Sequence, residues 1–137
     1  MTRAAALARL ANAAAGLGSV YADSRNTDAG PEQAPTTSVL SPYLRRRVIT
    51  EEETVAAART AHGPAAEKFV QEVFWRTYFK GHLETRPWLW DSYQRLVADG
   101  HARLLRESGL RRVYERALAG QTGIDCFDAW ASELQER

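Results

Sequence analysis

The chain has 137 residues, a length suited to one domain around one core. Its 18 Lys and Arg against 17 Asp and Glu leave a net charge of +1, so any phosphate contact must come from a local patch rather than from bulk charge. Cys126 is the single cysteine, which excludes an internal disulfide and fits a reducing, cytoplasmic setting.

The opening stretch, MTRAAALARLANAAA, is broken by Arg3 and Arg9, so it holds no hydrophobic segment of signal-peptide length. A transit peptide is the alternative reading of this Ala- and Arg-rich, acid-poor start. Nothing approaches the roughly 20 apolar residues of a membrane span. Sustained alternation with β-branched residues is missing, and the expected class is all-α over one domain, residues 1–137.

A first helix is predicted from Arg3 to Ala15, with Leu7, Leu10 and Ala14 on one face, ending at Gly16 and Gly18. A polar connection follows from Asp23 to Thr37. Its Asn26, Asp28, Gly30, Pro31 and Pro35 favour turns, and a loop of that length is usually functional or disordered. Ser38 to Arg46 reads as a short helix with Pro42 in its first turns. Thr50 and Glu53 form a capping-box pattern for a helix carrying Val55, Ala58 and Ala61 and stopping at Gly63. Pro64 opens the longest helix, to Leu83, with Phe69, Val73 and Phe74 as apolar positions. Pro87 breaks it. Trp88 to Arg106 and Leu110 to Leu118 are further helical stretches. Gly120 to Gly123 is a loop, and Asp125 caps a last helix with Phe127, Trp130, Ala131 and Leu134 on one face.

Two constellations carry chemistry. Thr37 and Ser38 stand ahead of a short helix, and Ser41 lies in its first turn. Unpaired N–H groups at a helix start, with three hydroxyls beside them, make a cradle for a phosphate or pyrophosphate. The same residues also serve as ordinary N-caps, and the pattern alone leaves both readings open. On the long helix, Glu72, Trp75, Arg76 and Phe79 are spaced by three, four and seven and share a face. An acid, an indole and a guanidinium suit a planar ligand. The alternative is a Glu72–Arg76 surface pair beside a core tryptophan.

Four ordered segments resemble the DNA photolyase/cryptochrome family: Tyr21-Ala-Asp-Ser-Arg25-Asn26, Thr37-Ser38-Val39-Leu40-Ser41-Pro42-Tyr43-Leu44, Phe69-Val-Gln71-Glu72-Val-Phe-Trp75-Arg76-Thr-Tyr78, and Gly120-Gln121-Thr122-Gly123 with Asp128-Ala129 behind it. The resemblance implies the N-terminal half of a helical FAD-binding domain. It implies a carbon–carbon lyase activity in which reduced FAD drives light-dependent repair of cyclobutane pyrimidine dimers extruded from DNA. By the same resemblance Tyr21, Thr37, Ser38, Val39, Leu40, Ser41, Phe69, Glu72 and Arg76 bind FAD. Glu72 and Trp75 are catalytic and face the dimer, and Arg25, Glu72, Trp75 and Arg76 lie toward DNA. Gln71 stands where the family often has Asn, and the Arg25–Thr37 spacing is longer than is common there.

The family's α/β antenna domain does not precede these segments. The part that supplies the Asn near flavin N5, the acids holding ribose and flavin, and most relay tryptophans does not follow. The expectation is therefore a truncated relative with an incomplete cofactor site and exposed apolar surface. A different class of reading is a cofactor-free helical module that uses Arg45–Arg47 and Arg76–Lys80 to meet nucleic acid or a protein partner. A third is a remnant without function. As a run, Arg45–Arg47 also reads as a solvated helix end. Trp88 and Trp90 read as packing residues, and Cys126 as a buried small apolar residue. His62, His82 and His101 show no metal-ligand spacing, and no P-loop or G-x-G-x-x-G occurs.

Overall fold

The computed structural model describes residues 2–30 and 32–136, and every regular element in them is helical. The turn reading at Pro31 lies outside the described residues, as do Met1 and Arg137. By its contacts the chain divides after Glu84 into two compact units.

The first unit holds α1 (Arg3–Ala14), α2 (Ser19–Ser24), α3 (Ser41–Arg45), α4 (Glu51–His62), a 3-10 turn (Gly63–Ala66) and α5 (Glu67–Glu84). Thr2 caps α1 by accepting the Ala5 N–H at 3.2 Å. The capping box opens α4 as its residues predict: Thr50 Oγ1 accepts the Glu53 N–H at 3.1 Å, and Glu53 returns to the Thr50 N–H at 2.8 Å. Arg3 reaches the same Glu53 carboxylate in an ion pair and donates to the Val48 carbonyl at 3.0 Å, which ties α1 to the start of α4. α2 is unforeseen, because it is short and lies where turn residues begin.

The core gathers Ala6 and Leu10 of α1, Leu17, Leu40, Leu44, Ile49, Ala58, Ala66, and Phe69, Val70 and Val73 of α5. Leu7 and Phe74, expected inside, are 41% and 57% exposed, and Ala6 and Val70 take their places. Periodicity marks an apolar arc, but the neighbour's position decides which edge of the arc is covered. Thr54 is the one buried polar residue described, and its hydroxyl donates to the Thr50 carbonyl at 2.9 Å. Burying Phe69 contributes roughly 1.5–3 kcal/mol.

α3 ends in a reciprocal pair of turn bonds. Val48 N–H donates to the Tyr43 carbonyl at 3.0 Å and Arg47 N–H to that of Leu44 at 3.1 Å. This is a Schellman closure, and it puts Arg47 at a φ of 55°, in the left-handed region where glycine is usual. An arginine there costs about 1 kcal/mol relative to glycine. At Gly18 the constraint is space. A Cβ there would stand 2.7 Å from His62 Nδ1, and that ring is fixed by the contact of its Nε2 with the Ala14 carbonyl at 2.7 Å.

The second unit holds α6 (Trp88–Arg106), α7 (Ser108–Leu118) and α8 (Asp125–Glu136), with α6 adjoining α7 and α7 adjoining α8. Its 120–124 loop is fastened by Asp128, which accepts from Thr122 N–H at 2.8 Å, Thr122 Oγ1 at 2.6 Å and Gly123 N–H at 2.8 Å. These bonds, that of the Thr122 hydroxyl first, hold the Asp128 carboxyl below its usual range. No described residue of these three helices is buried. Trp88 and Trp90, read as packing residues, are exposed, as are Cys126 and Trp130. Each helix has an apolar side, and its neighbours within the unit cover that side only in part, as at Leu89 and Leu104.

Two outcomes follow. Gly18→Ala should destabilise the chain by on the order of 1–3 kcal/mol in urea denaturation, because the anchored His62 ring cannot retreat. An unchanged midpoint would mean that the ring moves freely. The Arg3 hydrogen bond, with help from Thr50, lowers the Glu53 carboxyl from its ordinary 4.5 to about 2. A depressed carboxylate contributes stability that is complete above 4.5 and is lost as pH falls through about 2. Glu53→Gln should therefore flatten the acid limb of stability against pH in that window. An identical limb in the variant would remove Glu53 as its source.

Candidate functional site

The segment from Thr37 to Ser41 enters α3 in an unusual way. The N-cap position is Leu40, in helical geometry, and no side chain caps the helix. Thr37 and Ser38 are thus not the caps of α3. Val39 has a φ of 53°, a left-handed conformation that a β-branched side chain resists at a cost on the order of 1–3 kcal/mol. Two contacts hold the segment there. Leu40, next in sequence, is buried to 1% exposure, and Arg9 Nε of α1 donates to the Ser38 carbonyl at 3.0 Å. The preceding loop is closed by the Thr36 hydroxyl, which donates to the Thr27 carbonyl at 2.9 Å.

This segment forms one wall of a cleft of about 330 Å³. Thr37, Ser38, Val39, Leu40 and Ser41 line that wall, and Leu44 continues it along α3. Opposite stand Phe69, Glu72 and Arg76 of α5, with Tyr21 of α2 beside them. Tyr21 and Phe69 meet edge to face, with ring centroids 5.1 Å apart. Burial, followed by the Glu72 carboxylate, pushes the Tyr21 hydroxyl up, and Arg25 pulls it the other way. A second depression of about 290 Å³ adjoins the first and shares Tyr21, Thr37 and Ser38. The nine residues assigned to FAD by resemblance therefore line a single cleft.

Electrostatically the cleft is asymmetric. Glu72 pairs with Lys68 at 3.2 Å and with Arg25 at 3.5 Å. Arg25 is pinned further by the Ala22 carbonyl, so it is neither solvated nor free. A Glu72–Arg76 pair does not form among the described ion pairs. Arg76 instead keeps its Nε buried with no hydrogen-bond partner. A buried donor without an acceptor is rare and costs free energy, so an acceptor supplied from outside would be bound with profit.

Trp75 shares the expected stripe but not the cleft. At about 100° per residue it lies about 100° round the helix from Arg76, while Phe69 and Glu72 are closer to it. The four residues at 72, 75, 76 and 79 do span one arc, but the cleft takes only one edge of it. Trp75 lines a different, more apolar depression of about 470 Å³, together with Gln71, Phe74 and Tyr78. It stacks on Phe79 with centroids 5.5 Å apart and meets Tyr78 edge-on. Glu72 and Trp75, paired by resemblance as the dimer-facing residues, thus line different clefts. Arg9, Lys68 and Leu44 complete the site's surroundings: Lys68 is an i,i+4 partner of Glu72, Leu44 continues the hydroxyl segment, and Arg9 acts through a contact distant in sequence that no local pattern marks.

Among the described residues no group of His, Cys, Asp and Glu could hold a metal ion, and no helix is long and apolar enough to cross a membrane. Comparison with family models, curated proteins and solved structures found no match.

The orphaned Nε gives a direct check. Arg76→Met keeps the aliphatic bulk and removes the unsatisfied donor. It should raise stability by about 1 kcal/mol, the low end for a buried unpaired group, since Arg76 is only half-buried. Destabilisation in urea would show that the guanidinium is already satisfied.

Proposed function

We propose that the first unit binds FAD in this cleft, as the cofactor site of a photolyase/cryptochrome-like flavoprotein whose substrate is a pyrimidine dimer in DNA. One observation carries the reading: the hydroxyl segment and the Phe69–Glu72–Arg76 edge of α5 converge on one concave space, and Arg76 brings to it a buried donor that lacks an acceptor.

The residues present fit a dinucleotide. The hydroxyls of Thr37, Ser38 and Ser41, with Arg76, offer donors for a diphosphate. Tyr21 and Phe69 offer an aromatic wall for a ring. Thr37 and Ser38 form the ridge shared by the two adjoining depressions, where the bridge of a two-lobed ligand would sit. Each depression lies at the lower end of the roughly 300–1,000 Å³ of ligand sites, so one lobe per depression is the natural fit. When bound, reduced FAD supplies a light-excited electron donor. The chain's own part is to bind and orient it. Glu72, steadied by Arg25 and Lys68, presents carboxylate oxygens to whatever occupies the cleft. A DNA phosphate at Arg25 would compete with Glu72 for that guanidinium.

The test is a titration of the full chain with FAD, followed by flavin fluorescence anisotropy. Saturable binding is expected, with ADP competing because the diphosphate donors lie on the shared ridge. Arg76→Met and Ser38→Ala should each raise Kd at least about tenfold, equal to about 1.4 kcal/mol. Absence of binding, or binding indifferent to both substitutions, overturns the reading.

A further inference from the structure

A second cleft of the first unit lies between the end of α3 and α5, with a volume of about 510 Å³; it shares Leu44 and Arg76 with the first, and its chemistry differs. Four cations line it, Arg45 and Arg47 from the end of α3 and Arg76 and Lys80 from α5, against two carboxylates, Glu51 and Glu84. Arg47 pairs with Glu51 at 3.1 Å, and Lys80 pairs with Glu84 at 3.8 Å. The two acids are thereby used. Arg45 enters no ion pair among the described residues, and Arg76 carries its buried, unpartnered Nε. The cleft therefore keeps two uncompensated positive charges, on guanidinium groups, which match phosphate oxygens in pairs.

The backbone adds an independent observation. Arg47 occupies the left-handed position that closes α3, where glycine would be at ease, and its side chain lines the cleft. A residue held in a strained conformation at the wall of a charged concavity points to use of its side chain.

We propose that this second cleft is a binding site for a phosphate group, held by Arg45 and Arg76 and flanked by Arg47 and Lys80. The site goes beyond the flavin reading: it shares Arg76 with the first cleft, whereas Arg45, Arg47 and Lys80 line the second cleft and not the first. Its ligand is a phosphate monoester or diester, and the remaining volume leaves room for the group that carries the phosphate.

The experiment is calorimetric titration of the full chain with inorganic phosphate at low ionic strength. Saturable binding is expected, and it should weaken at least tenfold in Arg45→Ala. The Arg45 side chain is exposed, so that variant should retain the fold. Arg47→Gly should raise the melting temperature by a few degrees, since it relieves the backbone, and at the same time weaken phosphate several-fold. Arg45→Ala should leave FAD titration unchanged, which separates failure of this site from failure of the other. A parallel titration with a short DNA duplex identifies the source. Tighter, Arg45-dependent binding that falls steeply with salt assigns the phosphate to a nucleic-acid backbone, and equal or weaker binding assigns it to a free phosphate compound. Phosphate binding unaltered by Arg45→Ala, or no saturable binding, overturns the proposal.

Discussion

The burial of Leu40 is the constraint on which the first unit's functional geometry depends. Its side chain is almost wholly removed from water, yet the residue before it sits in a conformation that β-branched residues avoid. The apolar transfer of a leucine is worth roughly 1.5–3 kcal/mol, comparable with the strain at Val39. Burial and strain thus nearly balance at adjacent positions, and the bond from Arg9 to the Ser38 carbonyl tips the result. Without that anchorage the hydroxyl segment would have no fixed distance from α5, and no cleft would exist between them.

α5 is the second half of this arrangement, and it serves three surfaces at once. Phe69, Val70 and Val73 face the core. Glu72 and Arg76 face the hydroxyl segment. Trp75, Tyr78 and Phe79 form an exposed aromatic group on another side. One helix of eighteen residues can do this because successive positions turn through about 100°, so a core edge, a polar edge and an aromatic edge coexist. Arg76 sits where two of these surfaces meet and lines two clefts.

Much of the helical plan was legible in the residues. The capping box at Thr50, the break at Pro87 and the bounds of α6 depend on local chemistry, which a sequence displays directly. α2 was not legible, because six residues give too little periodicity and turn-formers follow at once. The choice of Ala6 over Leu7, and of Val70 over Phe74, depends on where neighbouring helices lie. At the candidate site the hydroxyl segment and Arg76 were legible as a pattern, whereas the Arg25–Glu72 pair and the Arg9 anchor arise from folding. Trp75 shares the helical arc of Glu72 but lines another depression, because such an arc is wider than a cleft. Cys126 and the tryptophans of α6 were read as buried on residue type, a preference that holds only where a neighbour supplies cover.

The second unit carries a thermodynamic consequence. Its helices bury no side chain, so their order comes from local terms such as the Arg103–Glu107 contact at 3.0 Å and the Asp128 bonds to its loop. Such terms are individually small, and helices with little tertiary cover lose structure gradually with heat. The chain as a whole is therefore not a two-state system. Any single unfolding free energy would then refer to the first unit, with a gradual drift of ellipticity expected from the second.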